Sequence, residues 1–172
     1  MNLQSNDFEL FDLPAQFAQD ADQIDARWKA LQRQAHPDKF AAQGAAAQRV
    51  AMQWSVRINE AYQRLRDPLR RAAYLCELHA SPVNAENNTA MAPAFLMQQL
   101  EWREALDGAE SLQALEAIAD ETASAQSNQL RSIEQALDAD RDFASAAQQV
   151  RSLMFIQKLG AEIDARIDKM SV

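Results

Sequence analysis

Apolar side chains recur along most of this 172-residue chain at spacings of three and four, the period of a helix buried on one face. Phe8, Leu10, Phe11 and Leu13 form a short apolar opening that Pro14 ends. Asp20, followed three residues later by Gln23, has the form of a capping box, and Ile24, Trp28, Leu31 and Ala35 then predict a helix over about 21–35. Gly44 and an Ala-rich run lead into Ala51, Trp54, Ile58, Tyr62 and Leu65, which predict a second long helix over about 45–66. Asp67-Pro68 reads as an N-cap with proline at the first helical position, opening a shorter helix through Ala72, Leu75 and Leu78. Ser81-Pro82 and the polar run from Asn84 to Thr89 read as a linker. Beyond it, Pro93 opens a helix ending near Asp107, before Gly108. A long helix over about 112–138 follows, striped by Leu115, Ile118, Thr122, Leu130, Ile133 and Leu137. Asp140 or a neighbour caps the last, which carries Val150, Leu153, Ile156, Ile163, Ile167 and Met170. The expected fold is all-α: a helical hairpin over residues 1–80, a linker over 81–92 and an antiparallel three-helix bundle over 93–172.

Between the two long N-terminal helices lies Ala35-His36-Pro37-Asp38-Lys39-Phe40. Proline cannot continue a helix and pushes His36 toward extended backbone, so the segment is expected to be an exposed corner between antiparallel helices. It places an imidazole, a carboxylate and an ammonium on a stiffened loop, a presentation suited to docking. Lys29 and Arg33 lie off the apolar stripe of the preceding helix, with Arg27 near its edge, so basic groups face solvent on the approach. In the helix from Pro93, Phe95, Trp102 and Leu106 fall within about 40° of one another and mark a core stripe. Leu96, Met97 and Leu100 occupy a separate sector beside Glu101 and Glu104. That sector is either a carboxylate-rimmed partner site or, if the helix is wedged between two others, more core. Phe155 lies opposite Leu153 on the last helix, either covered by another helix or open to the same partner.

Charge and composition narrow the chemistry. Residues 26–71 hold ten Lys and Arg against Asp38, Glu60 and Asp67, a local sum of +7 able to steer an acidic partner, whereas residues 80–172 account for the whole net charge of −8. No basic cluster is interleaved with stacking aromatics, so nucleic acid is not expected as a partner. Three Gly, five Pro and 48% hydrophobic residues suit helices and one domain or two small ones. A single cysteine excludes an internal disulfide and a four-cysteine zinc site, and two histidines leave no His-rich metal site. Met52, Met91, Met97 and Met154 are too scattered for a metal or haem box, so no cofactor is expected. Cys76, among Tyr74, Leu75 and Leu78, reads as a small buried hydrophobe rather than a nucleophile. His36 and Asp38 lack a pocket and a third orienting group, and no enzyme activity is expected. The N-terminus lacks the basic region and apolar run of a signal peptide, and no stretch approaches about 18 apolar residues, so the expected location is cytoplasmic.

His36-Pro37-Asp38 at a hairpin tip, preceded by Leu31-Gln32-Arg33-Gln34 and followed by Ile58-Asn59-Glu60-Ala61-Tyr62-Gln63-Arg64-Leu65-Arg66-Asp67-Pro68, resembles a J-domain. With Lys39-Phe40, the run Phe95-Leu96-Met97-Gln98-Gln99-Leu100-Glu101 and an acidic helical C-terminal half, the chain resembles the HscB family of iron-sulfur co-chaperones along nearly its whole length. The resemblance implies a J-domain over 1–80, in which His36, Pro37 and Asp38 promote ATP hydrolysis by the DnaK-type chaperone HscA, with Lys29, Arg33 and Lys39 as electrostatic contacts. It also implies that Leu96, Met97, Leu100, Glu101, Glu104 and Phe155 bind the iron-sulfur scaffold IscU. Two positions depart from the pattern: Ala35 stands where J-domains usually carry an aromatic residue, and Gly108 where the scaffold-binding face has a further acid. The Gly/Phe-rich segment and repeated cysteine motifs of general J-proteins are absent, which points to a dedicated client; the sequence does not fix the oligomeric state, and a monomer is the favoured expectation. A general J-protein for unfolded clients, or a helical scaffold with no chaperone link, are the alternative readings.

Overall fold

All regular structure among the described residues, 2–85 and 91–172 of the computed structural model, is helical. Its elements are α1 (Asp7–Leu10), α2 (Ala21–Ala35), a 3-10 helix (Pro37–Gln43), α3 (Ala45–Arg66), α4 (Pro68–Leu78), α5 (Pro93–Asp107), α6 (Leu112–Glu134), a π turn (Gln135–Ala139) and α7 (Phe143–Met170). No helix among the described residues is long and apolar enough to cross a membrane. The chain forms two compact units, residues 1–75 and 76–172, and the division falls inside α4. Residues 86–90 of the expected linker lie outside the described residues.

The caps explain most helix starts and correct one expectation. Asn6 and Glu9 form a reciprocal capping box on α1. Asp20 caps α2 through the Asp22 N–H at 2.9 Å rather than as a box with Gln23. The cap expected at Asp140 or a neighbour is Asp142, which begins α7 by accepting the Ser145 N–H at 3.1 Å. Continuous α-helix was expected to residue 138, but the chain widens into a π turn after Glu134, which carries the adjacent Ala136 and Leu137 both into the interior. Two stripes fray at their ends: Leu78 and Met170 are exposed.

In the first unit, α2 and α3 pair antiparallel. Ile24, Ala35, Ala51, Ile58, Ala61 and Leu65 are buried, with Phe8, Phe11 and Phe17 closing the core. The pair is registered by polar contacts that run in opposite order along the two helices. Asp25 accepts from the Tyr62 hydroxyl at 2.7 Å, and Trp28 Nε1 and Gln32 Nε2 both donate to Asn59 Oδ1, at 2.9 and 2.7 Å. Ser55 Oγ donates to Gln32 Oε1 at 2.9 Å. The Tyr62 hydrogen bond holds the Asp25 carboxyl below its ordinary range.

The same unit contains a buried charge cluster with no local sequence signal. Asp7 is wholly buried, and Arg64 Nε and Nη2 donate to its two oxygens at 2.7 and 3.0 Å. Arg57 Nη1 lies 2.7 Å from Oδ1 in a Coulombic contact that lacks hydrogen-bond alignment. The Asp7 N–H donates to the Tyr74 hydroxyl at 3.0 Å, and the Tyr74 ring stacks on Phe8, with the Arg64 guanidinium over the ring 5.1 Å from its centroid. Buried Arg71 donates to the carbonyls of Phe17 and Leu65, at 2.8 and 2.6 Å. These contacts tie the opening turn to α3 and α4.

In the second unit, Trp102 and Leu106 of α5, Leu115 and Ile118 of α6, and Ile156, Leu159 and Ile163 of α7 form one buried cluster. Arg103 of α5 reaches Glu162 of α7 at 2.7 Å and holds that carboxyl below its ordinary range. Cys76 is fully buried, and burial pushes its thiol up to about 11. At pH 8 only about one thiol in a thousand is then ionised. Cys76 is therefore expected to resist alkylation by iodoacetamide in the folded protein at pH 8 and to react fully in denaturant, as mass spectrometry would read; rapid native labelling would contradict its burial.

Candidate functional site

His36 leaves α2 with extended backbone, φ −62° and ψ 127°, as the following proline requires. The segment after it is not an irregular loop: Pro37 starts a 3-10 helix that runs to Gln43, where Gly44 at φ 100° turns the chain into α3. Nothing lies within 4 Å of a Cβ built on Gly44, so backbone conformation rather than space selects glycine here. His36 caps the 3-10 helix: its Nδ1 accepts the Asp38 N–H at 3.2 Å, and its carbonyl accepts the Lys39 N–H at 3.0 Å. Nδ1 thus acts as an acceptor in this contact. The Asp38 side chain is 90% exposed, with Oδ2 3.6 Å from the imidazole. Backbone bonds therefore fix the corner, and its carboxylate is available for contact.

Lys29 and Arg33 are exposed on α2, and the Arg33 Nε donates to the Lys29 carbonyl at 3.3 Å. The local sum of +7, however, overstates the charge facing outward. Arg57 and Arg64 bind Asp7, Arg66 binds Asp25 at 3.0 Å, Arg27 lies 3.6 Å from Asp12, and Arg71 serves two carbonyls. The acids involved lie outside residues 26–71, so that window counted the cations without them. Lys29, Arg33, Lys39, Arg49 and Arg70 remain as the exposed basic groups.

On α5 the structure separates the two apolar sectors. Trp102 and Leu106 are buried, whereas Leu96, Met97 and Leu100 are 45, 60 and 59% exposed, beside exposed Glu101 and Glu104. The helix is therefore not wedged between two others, and its second sector is open surface. Phe155 is placed differently. It is half-buried, edge-on to Phe95 at 6.0 Å, and Phe95 in turn meets Trp102 edge-on at 6.3 Å. It belongs to the aromatic packing under α5 more than to the open sector. Gly108 closes α5 by donating its N–H to the Glu104 carbonyl at 3.0 Å. A groove of about 520 Å³ between α5 and α6 borders this sector through Glu101 and is lined further by Asp120, Glu121 and Asn128, which the sequence did not single out.

Residues 91–164 match a family model described as the HSCB C-terminal oligomerisation domain. A Burkholderia thailandensis protein named co-chaperone protein HscB homolog is 50% identical to this chain, over 99% of it and 98% of its own length. This chain belongs to the HscB co-chaperone family. Solved HscB structures share its fold. The Vibrio cholerae chaperone HscB superposes with a TM-score of 0.82 at 37% identity, covering 96% of this chain and 99% of its own. The human co-chaperone HscB does so with a TM-score of 0.89 at 26% identity, covering 96% and 84%. The all-α architecture is thus that of the HscB family, whose matched members are named chaperones or co-chaperones.

Proposed function

We propose that this HscB-family protein is a cytoplasmic adaptor. Its J-domain stimulates ATP hydrolysis by a DnaK-type chaperone of the HscA kind, and its C-terminal bundle holds the iron-sulfur scaffold IscU and delivers it. The observation that carries the first half is the solvent-facing carboxylate of Asp38 on a corner whose backbone is already bonded. Asp38 engages a cation of the chaperone, His36 and Pro37 hold the corner's shape, and Lys29, Arg33 and Lys39 steer the encounter. Stimulation requires the corner to bind the hydrolysis-competent arrangement of the chaperone more tightly than its resting one, because equal affinity for both shifts nothing. The chemistry stays in the chaperone.

The second half is supported by the open sector of Leu96, Met97 and Leu100 with Glu101 and Glu104 at its rim, an apolar centre with a charged border of the kind that interfaces use. Phe155 supports that surface from beneath, through Phe95. The test is chaperone ATPase turnover with this protein and the scaffold, singly and together; stimulation by the pair greater than the sum of the two is expected, and strictly additive rates would count against delivery. Replacing Leu96 and Leu100 together by Ser, both exposed and so harmless to the fold, is expected to weaken scaffold binding in a calorimetric titration by about 10- to 100-fold, ~1.4–2.8 kcal/mol. A general J-protein would instead keep its clients when this patch is lost.

A further inference from the structure

Beside the corner, a recess of about 370 Å³ opens between the end of α2, the 3-10 helix and the first half of α3. Its floor is buried Ala35 and Ala51 with Ala47 beside them, and its walls are half-buried Phe40 and Trp54 and exposed Val50. Only Gln34 and Gln43 bring polar side chains to it, so it offers no charge to an anion, a nucleotide or a metal. Its volume falls at the lower end of ligand sites, ~300–1,000 Å³, which suits one or two apolar side chains. The recess and the tripeptide are one segment of chain: Ala35 directly precedes His36, and Phe40 follows Asp38 by two residues. Space is open here because three small residues line it; a ring at position 35 would fill it from the floor.

We propose that this recess seats an apolar side chain of the chaperone that docks on Asp38, and that it thereby selects which chaperone is engaged. The inference rests on the reading of the corner as a chaperone-docking site, and continuity with that corner is what identifies the occupant. Asp38 supplies a directional charge contact, whereas the recess supplies shape, so the two act on different properties of the encounter. Burying an apolar group in a preformed recess adds affinity in the bound complex without itself favouring one chaperone arrangement over another.

The experiment titrates chaperone ATPase with full-length Ala35→Phe, which fills the floor, with Val50→Asp, which charges the exposed mouth, and with Met52→Asp on another exposed part of α3 as a control for added charge. Both recess variants are expected to raise the half-saturating concentration about tenfold. The change should appear there and not in the turnover reached at saturation, and Met52→Asp should stay within about twofold of wild type. Unchanged half-saturation in both recess variants would overturn the proposal while leaving the docking reading intact, provided Asp38→Ala still abolishes stimulation. A loss confined to Ala35→Phe, which could displace the corner itself, also counts against it, as does an equal loss in Met52→Asp. No stimulation by the wild-type protein would remove the docking reading and the recess together.

Discussion

Asp38→Ala is expected to abolish stimulation of the chaperone's ATPase while leaving the thermal unfolding curve of the co-chaperone unchanged. The separation follows from how the corner is built. What fixes residue 38 is its own N–H, donated to His36 Nδ1, and alanine keeps that N–H. The carboxylate, 90% exposed, carries almost none of the folding energy. A surface contact of this kind contributes ~0–1 kcal/mol to stability. In the proposed docked complex the same group would meet a cation away from water, where a charge-assisted hydrogen bond is about twice as strong as a neutral one. Asp38→Asn, which keeps shape and loses charge, should therefore also fail, with a loss of about 10- to 100-fold in stimulation, since hydrogen bonds to charged groups are worth ~1.5–3 kcal/mol. Steady-state turnover with the wild type and both variants gives the answer directly, and full stimulation by either variant would remove Asp38 from the mechanism.

Asp7→Ala should have the opposite profile: a large loss of stability with no direct part in docking. Removing the carboxylate leaves Arg57 and Arg64 facing a space built around a counter-charge, with side chains 17 and 39% exposed. Deleting one partner of a buried ion pair costs ~3–5 kcal/mol, because an uncompensated charge remains. A loss of that size is a large share of the total stability of a small domain, ~5–15 kcal/mol. Urea denaturation followed by circular dichroism should show a marked fall in midpoint; a shift smaller than ~1 kcal/mol would mean that the arginines find water or other partners. Asp7→Asn should fall between the wild type and Ala, since its amide keeps an acceptor for Arg64 but no charge.

The helices were legible because their stripes are long and their starts and stops carry recognisable residues. Pro68, Pro93 and Gly108 sit where the period breaks, and Asp67 donates no signal more elaborate than a side-chain oxygen, which accepts the Leu69 N–H at 3.0 Å. Asp7 was invisible for the opposite reason. Its partners at 57, 64 and 74 are distant in sequence, and among Asn6, Asp7 and Glu9 an acid reads as solvated surface. The 3-10 helix has no sequence signal because the seven residues Pro37–Gln43 are too few and too mixed to show a period, and the hydrogen bonds that make it are local backbone choices. The open sector of α5 could not be assigned from a wheel, since two apolar sectors are equally consistent with a helix covered on both sides; only the packing of Trp102 and Leu106 on one side decides it. The same limit applies to Phe155, whose environment is set by Phe95, sixty residues earlier in the chain.

The burial of Cys76 bears on how such an adaptor could work beside a labile metal cluster. A thiolate at the surface could compete for iron in the proposed contact with a cluster-bearing scaffold. Here the chain's one thiol is enclosed and its pKa is raised by burial, so under the proposed role it would offer no surface thiolate to the scaffold's metal. For the scaffold-delivering role proposed above, handling without stripping is a requirement, and the packing of Cys76 in α4 is consistent with it.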